Sequence, residues 1–231
     1  MACDAALPAS TDGTLRMWLM AVLRPVKLTV TNYPEGKTEY VTVENNPVDP
    51  AAGTRSVAFS RHLFMEADDF METPVPKYKR MYPGNEVRLK GAYLATCTGC
   101  VKDENGNVTE ILCEYDPDSR GGDPADGRKV KGATIHWVDA ATAVDAEVRL
   151  YDNLFSDEDP DGPDKNFLDY LNPGSLEILH GCKVEAELAS AAAPAGFQFM
   201  RLGYFCLDSR DSAPEHLVFN RSVSLKDSFK K

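Results

Sequence analysis

Apolar residues recur along this chain with a period of two far more often than with the 3.6 of a helix. "VKLTVTNY" (26–33) and "KTEYVTVE" (37–44) alternate on either side of "PEGK", which predicts a hairpin. "NEVRLKGAYLATC" (85–97) and "VTEILCEY" (108–115) flank "DENGN", whose Asn105-Gly106 pair suits a type I′ turn. Further strands are expected in "KGATIHWV" (131–138), "DAEVRLYD" (145–152), "SLEILH" (175–180), "FQFMRLGYFCLD" (197–208) and "HLVFNRSVSL" (216–225). Helix is expected only in short pieces such as "DKNFLDYLN" (164–172). Fifteen prolines and sixteen glycines break the chain at short intervals, and no repeat of fixed period is present. Many short strands with such regular turn signals predict a mainly β fold, a sandwich or barrels.

Composition narrows the function classes. At 231 residues, 43% hydrophobic and 26% charged, the chain has the make-up of an ordinary globular protein. No apolar run reaches the roughly 18 residues of a membrane span, so no membrane partner is expected. Six scattered cysteines, with no secretory signal, read as reduced thiols of a cytoplasmic protein. "RMWLMAVLR" (16–24) imitates the centre of a signal peptide but lacks a basic flank; residues 1–20 are expected to be a leader, disordered or of foreign origin. A formal charge of −11 argues against broad, non-specific binding of nucleic acid. It leaves room for a focused cationic site, because screening confines each charge to about 10 Å.

Such a focus exists in "PKYKRMYPGNEVRLK" (76–90), where Lys77, Lys79, Arg80, Arg88 and Lys90 face a single Glu86. Strand alternation sends Val87, Leu89, Gly91 and Tyr93 to one face, and Glu86, Arg88 and Lys90 to the other. Tyr78 adds an aromatic ring between two lysines. The plainer reading is a strand edge guarded by charge against aggregation.

Other candidate chemistry is weak. Cys97-Thr98-Gly99-Cys100 is a CxxC without the second pair that a structural zinc site needs, so no metal is expected. "DEDPDG" (157–162) starts like a calcium loop, yet Leu168 stands where a bidentate glutamate is required. Neither a GxSxG nor a Walker-type loop occurs, and His62, His136, His180 and His216 suggest no triad. His136, beside Trp137, reads as a core histidine.

Three longer stretches carry a family likeness: "KYKRMYPGNEVRLKGAY" (77–93), "DPADGRKVKGATIHWV" (123–138) and "FQFMRLGYFCLDSRDSAPEHLVFNRSVSLKDS" (197–228). They resemble the C-terminal anticodon-binding region of glutaminyl-tRNA synthetase, a class I aminoacyl-tRNA synthetase. "MAVLRPVKLTVTNYPEG" (20–36) resembles the start of that region. The resemblance implies two β-barrels: a proximal one from 21–61 plus 136–231, and a distal one from 62–135. The family's HIGH and KMSKS signatures are missing, so this stretch is expected to be neither an enzyme nor a binder of ATP. ATP and magnesium would serve the parent ligase. The implied partners are the anticodon loop of glutamine tRNA and the parent's catalytic domain, with the chain itself a monomer.

At positions matching the family's motifs, Lys79 and Arg80 would address the third anticodon base and Arg88 the first. Gln198 and Arg201 match residues that line the pocket of the central uracil. Tyr78 would stack, or pack in a barrel; Lys77 and Lys90 would contact phosphate, which positions an RNA without reading it. One departure stands out: the family has an arginine just before its "MAV", where Trp18 and Leu19 stand here. Two alternatives remain open, the same region of an archaeal or eukaryotic-type glutamyl-tRNA synthetase and a β-rich protein-binding module. Arg80 leans toward the glutamine version, because a guanidinium suits the adjacent acceptors of guanine.

Overall fold

The computed structural model describes residues 17–193 and 195–225. The described residues form two seven-stranded sheets, each rolled into a nearly closed barrel, and a two-stranded ribbon. In chain order the strands are β1 (Trp18–Leu19), β2 (Ala21–Val22), β3 (Pro25–Val30), β4 (Glu39–Glu44), β5 (Thr54–Phe59), β6 (His62–Glu66), β7 (Glu86–Leu89) and β8 (Leu94–Lys102). There follow β9 (Val108–Tyr115), β10 (Thr134–Ile135), β11 (Trp137–Asp139), β12 (Val144–Tyr151), β13 (Leu176–Val184), β14 (Gly196–Phe199), β15 (Gly203–Leu207) and β16 (Leu217–Ser224). The first barrel runs β10-β7-β8-β9-β3-β6-β11 and the second β1-β14-β15-β16-β12-β13-β2. Helical segments among the described residues are short 3-10 turns, including Phe167–Tyr170, where Asn166 caps the expected helical piece.

Both barrels close by the same device. A strand breaks at one residue and pairs with opposite edges of its sheet on either side of the break. Trp18–Leu19 lies on β14, and Ala21–Val22 on β13, with Met20 between them. Thr134–Ile135 lies on β7, and Trp137–Asp139 on β6, with His136 between them. The first breaking strand also runs between the barrels. Leu19, Ala21 and Leu23 belong to the second core, while Met20 and Val22 belong to the first. A strand buried on both faces needs an uninterrupted apolar run, and "LMAVL" is one.

Several expectations change. Residues 17–20, assigned to the leader, are part of the fold, and Leu19 and Met20 are fully buried. The remaining leader residues, 1–16, lie outside the described residues. β3 and β4 do not form the expected hairpin: β3 pairs with β6 and β9, while β4 pairs with β5. The β8–β9 hairpin is present, but Asn105 has negative φ and only Gly106 is positive, so its turn is not type I′. Asp103 ties that turn by accepting from the amides of Asn105 and Asn107. The division into 21–61 plus 136–231 and 62–135 does not follow the sheets. Residues 25–30 and 137–139 pair with 62–66 inside the first barrel, because β3 fills the gap between β6 and β9. The second barrel takes 18–22 and 144–224.

Carboxylates lock the barrels together. Glu185 accepts from the Met20 amide at 2.6 Å and meets Arg55 of β5 through both oxygens, at 2.6 and 2.7 Å. From the other side, Glu66 accepts from the amides of Leu23 and Arg24 at 2.7 and 3.0 Å. The linking segment thus has its buried backbone donors satisfied by side chains of both barrels, as burial demands.

Candidate nucleic-acid interface

The basic stretch lies in the first barrel, split between a loop and β7. Val87 and Leu89 are fully buried and Glu86 and Arg88 half-buried, as alternation predicts. The strand ends at Leu89, however. Gly91, at φ 70°, turns the chain back into β8, and a Cβ there would come within 2.8 Å of Val43. Arg88 is not on an edge either, since Leu94 of β8 and Thr134 of β10 flank it. Gly132 makes that β10 contact possible: a Cβ would fall 1.8 Å from the Glu86 carbonyl oxygen.

Arg88 and Lys90 nonetheless share a surface. Both line a cavity of about 420 Å³ whose walls include Thr42, Glu44, Gly122, Asp123 and Thr134. Nε of Arg88 donates to the Gly122 carbonyl at 2.8 Å, and Nη2 stands 3.6 Å from Asp123, which is 89% exposed. Buried Trp137 donates to the Lys90 carbonyl at 3.1 Å, fixing the turn that carries Lys90. With Arg88 and Lys90 set against Glu44 and Asp123, a cavity of this size offers both donors and acceptors to a flat polar group.

A second cluster assembles around Asp69. The strand expected over 197–208 is a hairpin, β14–β15, whose turn holds Arg201 at φ 68°. That turn carries Arg201 to the first barrel, where Nη1 and Nη2 meet the two oxygens of Asp69 at 2.6 and 2.8 Å. Arg80 reaches the same carboxylate from its own barrel, with Nη1 at 3.1 Å, and donates to the Asp68 carbonyl at 3.3 Å. Asp69 is 2% exposed, while the side chains of Arg201 and Arg80 keep 30% and 41% of their surface. The bond to Asp69 raises the Arg201 pKa, against the opposing effect of burial.

The other candidates scatter around these two clusters. Lys79 is exposed beside Arg80, its carbonyl accepting from the Ala133 amide at 2.7 Å. Lys77 is exposed at φ 67°. Tyr78 places its hydroxyl 3.4 Å from the Asp68 carbonyl and its ring 6.3 Å from that of Tyr82, and burial raises its pKa. Gln198 is 4% exposed within β14, the most withdrawn of the candidates. His136 is a core residue, 1% exposed, with Nδ1 at 3.3 Å from Arg201 and Nε2 at 3.6 Å from Glu66. An arginine donates only, so Nδ1 accepts and the proton belongs on Nε2.

Competing chemistry finds little support. In the calcium-like loop, Lys165 bonds both oxygens of Asp157 and the carbonyl of Asp159, at 2.9 to 3.0 Å, where a cation would sit. Cys97 of the CxxC is buried, and desolvation pushes its thiol up to about 11, unlike a reactive thiolate. Arg128 is spent on Glu86, Asp116 and Asp126.

A family model described as tRNA synthetases class I (E and Q), anti-codon binding domain, matches residues 19–116, and a second of the same description matches 134–208. The chain belongs to this family. The first match takes in most of the first barrel and the second most of the second barrel, while β10 and β11, which complete the first barrel, fall in the second match. Among similar proteins, the glutamine–tRNA ligase of Clostridium kluyveri is 52% identical over 212 residues, 91% of this chain and 38% of that ligase. Those of Clostridioides difficile and Nitrobacter winogradskyi are 53% and 54% identical, over 91% and 92% of this chain and 38% and 37% of their own lengths. The chain thus spans little more than a third of these relatives, and matches the family's anticodon-binding part rather than a whole ligase. Among the described residues no helix is long and apolar enough to cross a membrane.

What sequence reasoning missed is Asp69 and the far walls of the Arg88 cavity. The only local signal for Asp69 was "EADDF", in which Asp68 and Asp69 look alike.

Proposed function

We propose that this chain is the anticodon-loop recognition module of a glutamine–tRNA ligase, holding three everted nucleotides for an attached catalytic domain. The observation that carries the reading is the placing of four matched basic residues of an acidic chain at two sites, the Arg88–Lys90 cavity and the Arg80–Arg201 pair. Loop bases are read by planar cations, amides and aromatic faces against unstacked edges. Arg88 reads the first base in the cavity, Lys79 and Arg80 the third, and Arg201 with Gln198 the central uracil. Lys77 and Lys90 hold phosphates and Tyr78 offers a ring to stack on. The likeness to three glutamine–tRNA ligases supports the choice of tRNA. The parent ligase would use ATP and magnesium in its catalytic domain, outside the matched stretch. We further propose that the module is monomeric and works in the cytoplasm.

The test is binding of this chain to glutamine tRNA and to the same tRNA altered only in the anticodon, at low salt. Preference for the cognate anticodon is expected. Equal affinity for both refutes the reading, and preference for a loop with cytosine at the third position reassigns the module to glutamate tRNA.

A further inference from the structure

We infer that Asp69 is a positioning residue shared by two base-reading arginines, so that the central and third bases of the bound loop are read as one unit. The inference rests on the anticodon-loop reading above and assigns a role to a residue that touches no base.

Geometry carries it. One carboxylate, almost fully buried, receives Arg201 from the second barrel and Arg80 from the first. A tie between barrels needs only Arg201; Arg80 lies in the same barrel as Asp69 and adds nothing to docking. What the third partner does is fix the two guanidinium groups relative to each other. Arg201 is held end-on, with both Nη atoms on Asp69 and the other Nη1 hydrogen toward Nδ1 of His136. Of the five N–H groups of Arg201, this leaves Nε–H and the second hydrogen of Nη2, which point the same way and form a fork for an acceptor. Arg80 approaches Oδ1, the same oxygen that holds Nη2 of Arg201. Moving either arginine therefore disturbs the anchor of the other.

The backbone repeats the coupling. The carbonyl of Asp69 accepts from the Met81 amide at 2.9 Å, so one residue holds both the main chain beside Arg80 and its side-chain head. Asp69 is itself anchored: it ends the 3-10 turn Ala67–Asp69, which follows Glu66, the residue clamped on the linker amides. Charge follows the same logic. Two guanidinium groups share one buried carboxylate, which offsets only one of their charges and fixes the orientation of both.

The experiment compares wild-type protein with Asp69→Asn, using anticodon stem-loops of glutamine tRNA changed at the first, central or third base. With the melting temperature checked, Asp69→Asn is expected to lower discrimination at the central and third bases together, each by roughly tenfold. First-base discrimination, assigned to Arg88, is expected to stay, and Asp69→Glu to recover part of the loss. Retention at either base, or equal loss at all three, overturns the inference. If Asp69→Asn does not fold, Arg201→Lys decides: it keeps the charge but not the bidentate grip. Blunted third-base discrimination in that variant supports the coupling, and an effect confined to the central base overturns it. Wild-type protein that distinguishes none of the loops refutes the anticodon reading itself, whereas wild-type discrimination that survives Asp69→Asn refutes this inference alone.

Discussion

The two arginine sites are built on opposite plans. Arg88 sits on a strand, takes its bond from the Gly122 backbone, and has for its nearest carboxylate an exposed aspartate at 3.6 Å. Everything that holds it belongs to one barrel. Arg80 and Arg201 come from different barrels and meet a carboxylate that solvent scarcely reaches. An exposed pair contributes little because water and salt screen it, whereas a buried carboxylate without partners costs several kcal/mol. The first site is a shaped cavity with an adjustable cation. The second is a fixed cation pair whose geometry depends on how two barrels dock.

Weakening the docking is the strongest way to break that contrast. Glu185→Ala leaves Arg55 buried and the Met20 amide without its acceptor, and is expected to destabilise the fold by about 3–5 kcal/mol, read from urea unfolding. At temperatures where the variant is still folded, base preference at the Asp69 site should suffer and first-base preference should persist. If first-base preference goes with it, the two sites are not independent.

Next in size are the reading residues themselves. Arg88→Ala should cost about 1–3 kcal/mol of discrimination at the first base, and Arg80→Ala as much at the third with a smaller loss at the central base, whose arginine shares Asp69. Loss of affinity without change of base preference would show that they hold phosphate instead. A smaller effect is expected of Lys90→Ala, which should weaken every anticodon alike and reduce the slope of log K against log salt by about 0.7–0.9. An unchanged slope removes Lys90 from the phosphate contacts. The smallest belongs to Asp123→Ala, expected within about 0.5 kcal/mol of wild-type stability. A larger loss would mean that the exposed pair with Arg88 matters after all, and the contrast between the sites would fade.

The sequence was enough to give the mainly β class, the inward Val87 and Leu89, the outward Arg88, the buried His136 and the cationic stretch in an acidic chain. Each of these is written in local alternation or local charge, and a strand transmits both directly to its two faces. Tertiary structure alone decided which strands close which barrel, because a run such as "VKLTV" fits any edge with a matching apolar face. It also decided that "FQFMRLGYFCLD" bends at Arg201, because the apolar residues on either side read equally well as one strand. The pairing of Asp69 with Arg201 bridges 132 residues, and nothing near either one names the other. A buried ion pair is chosen by where two chain segments meet in space, and the sequence settles that meeting only through the packing of both barrels.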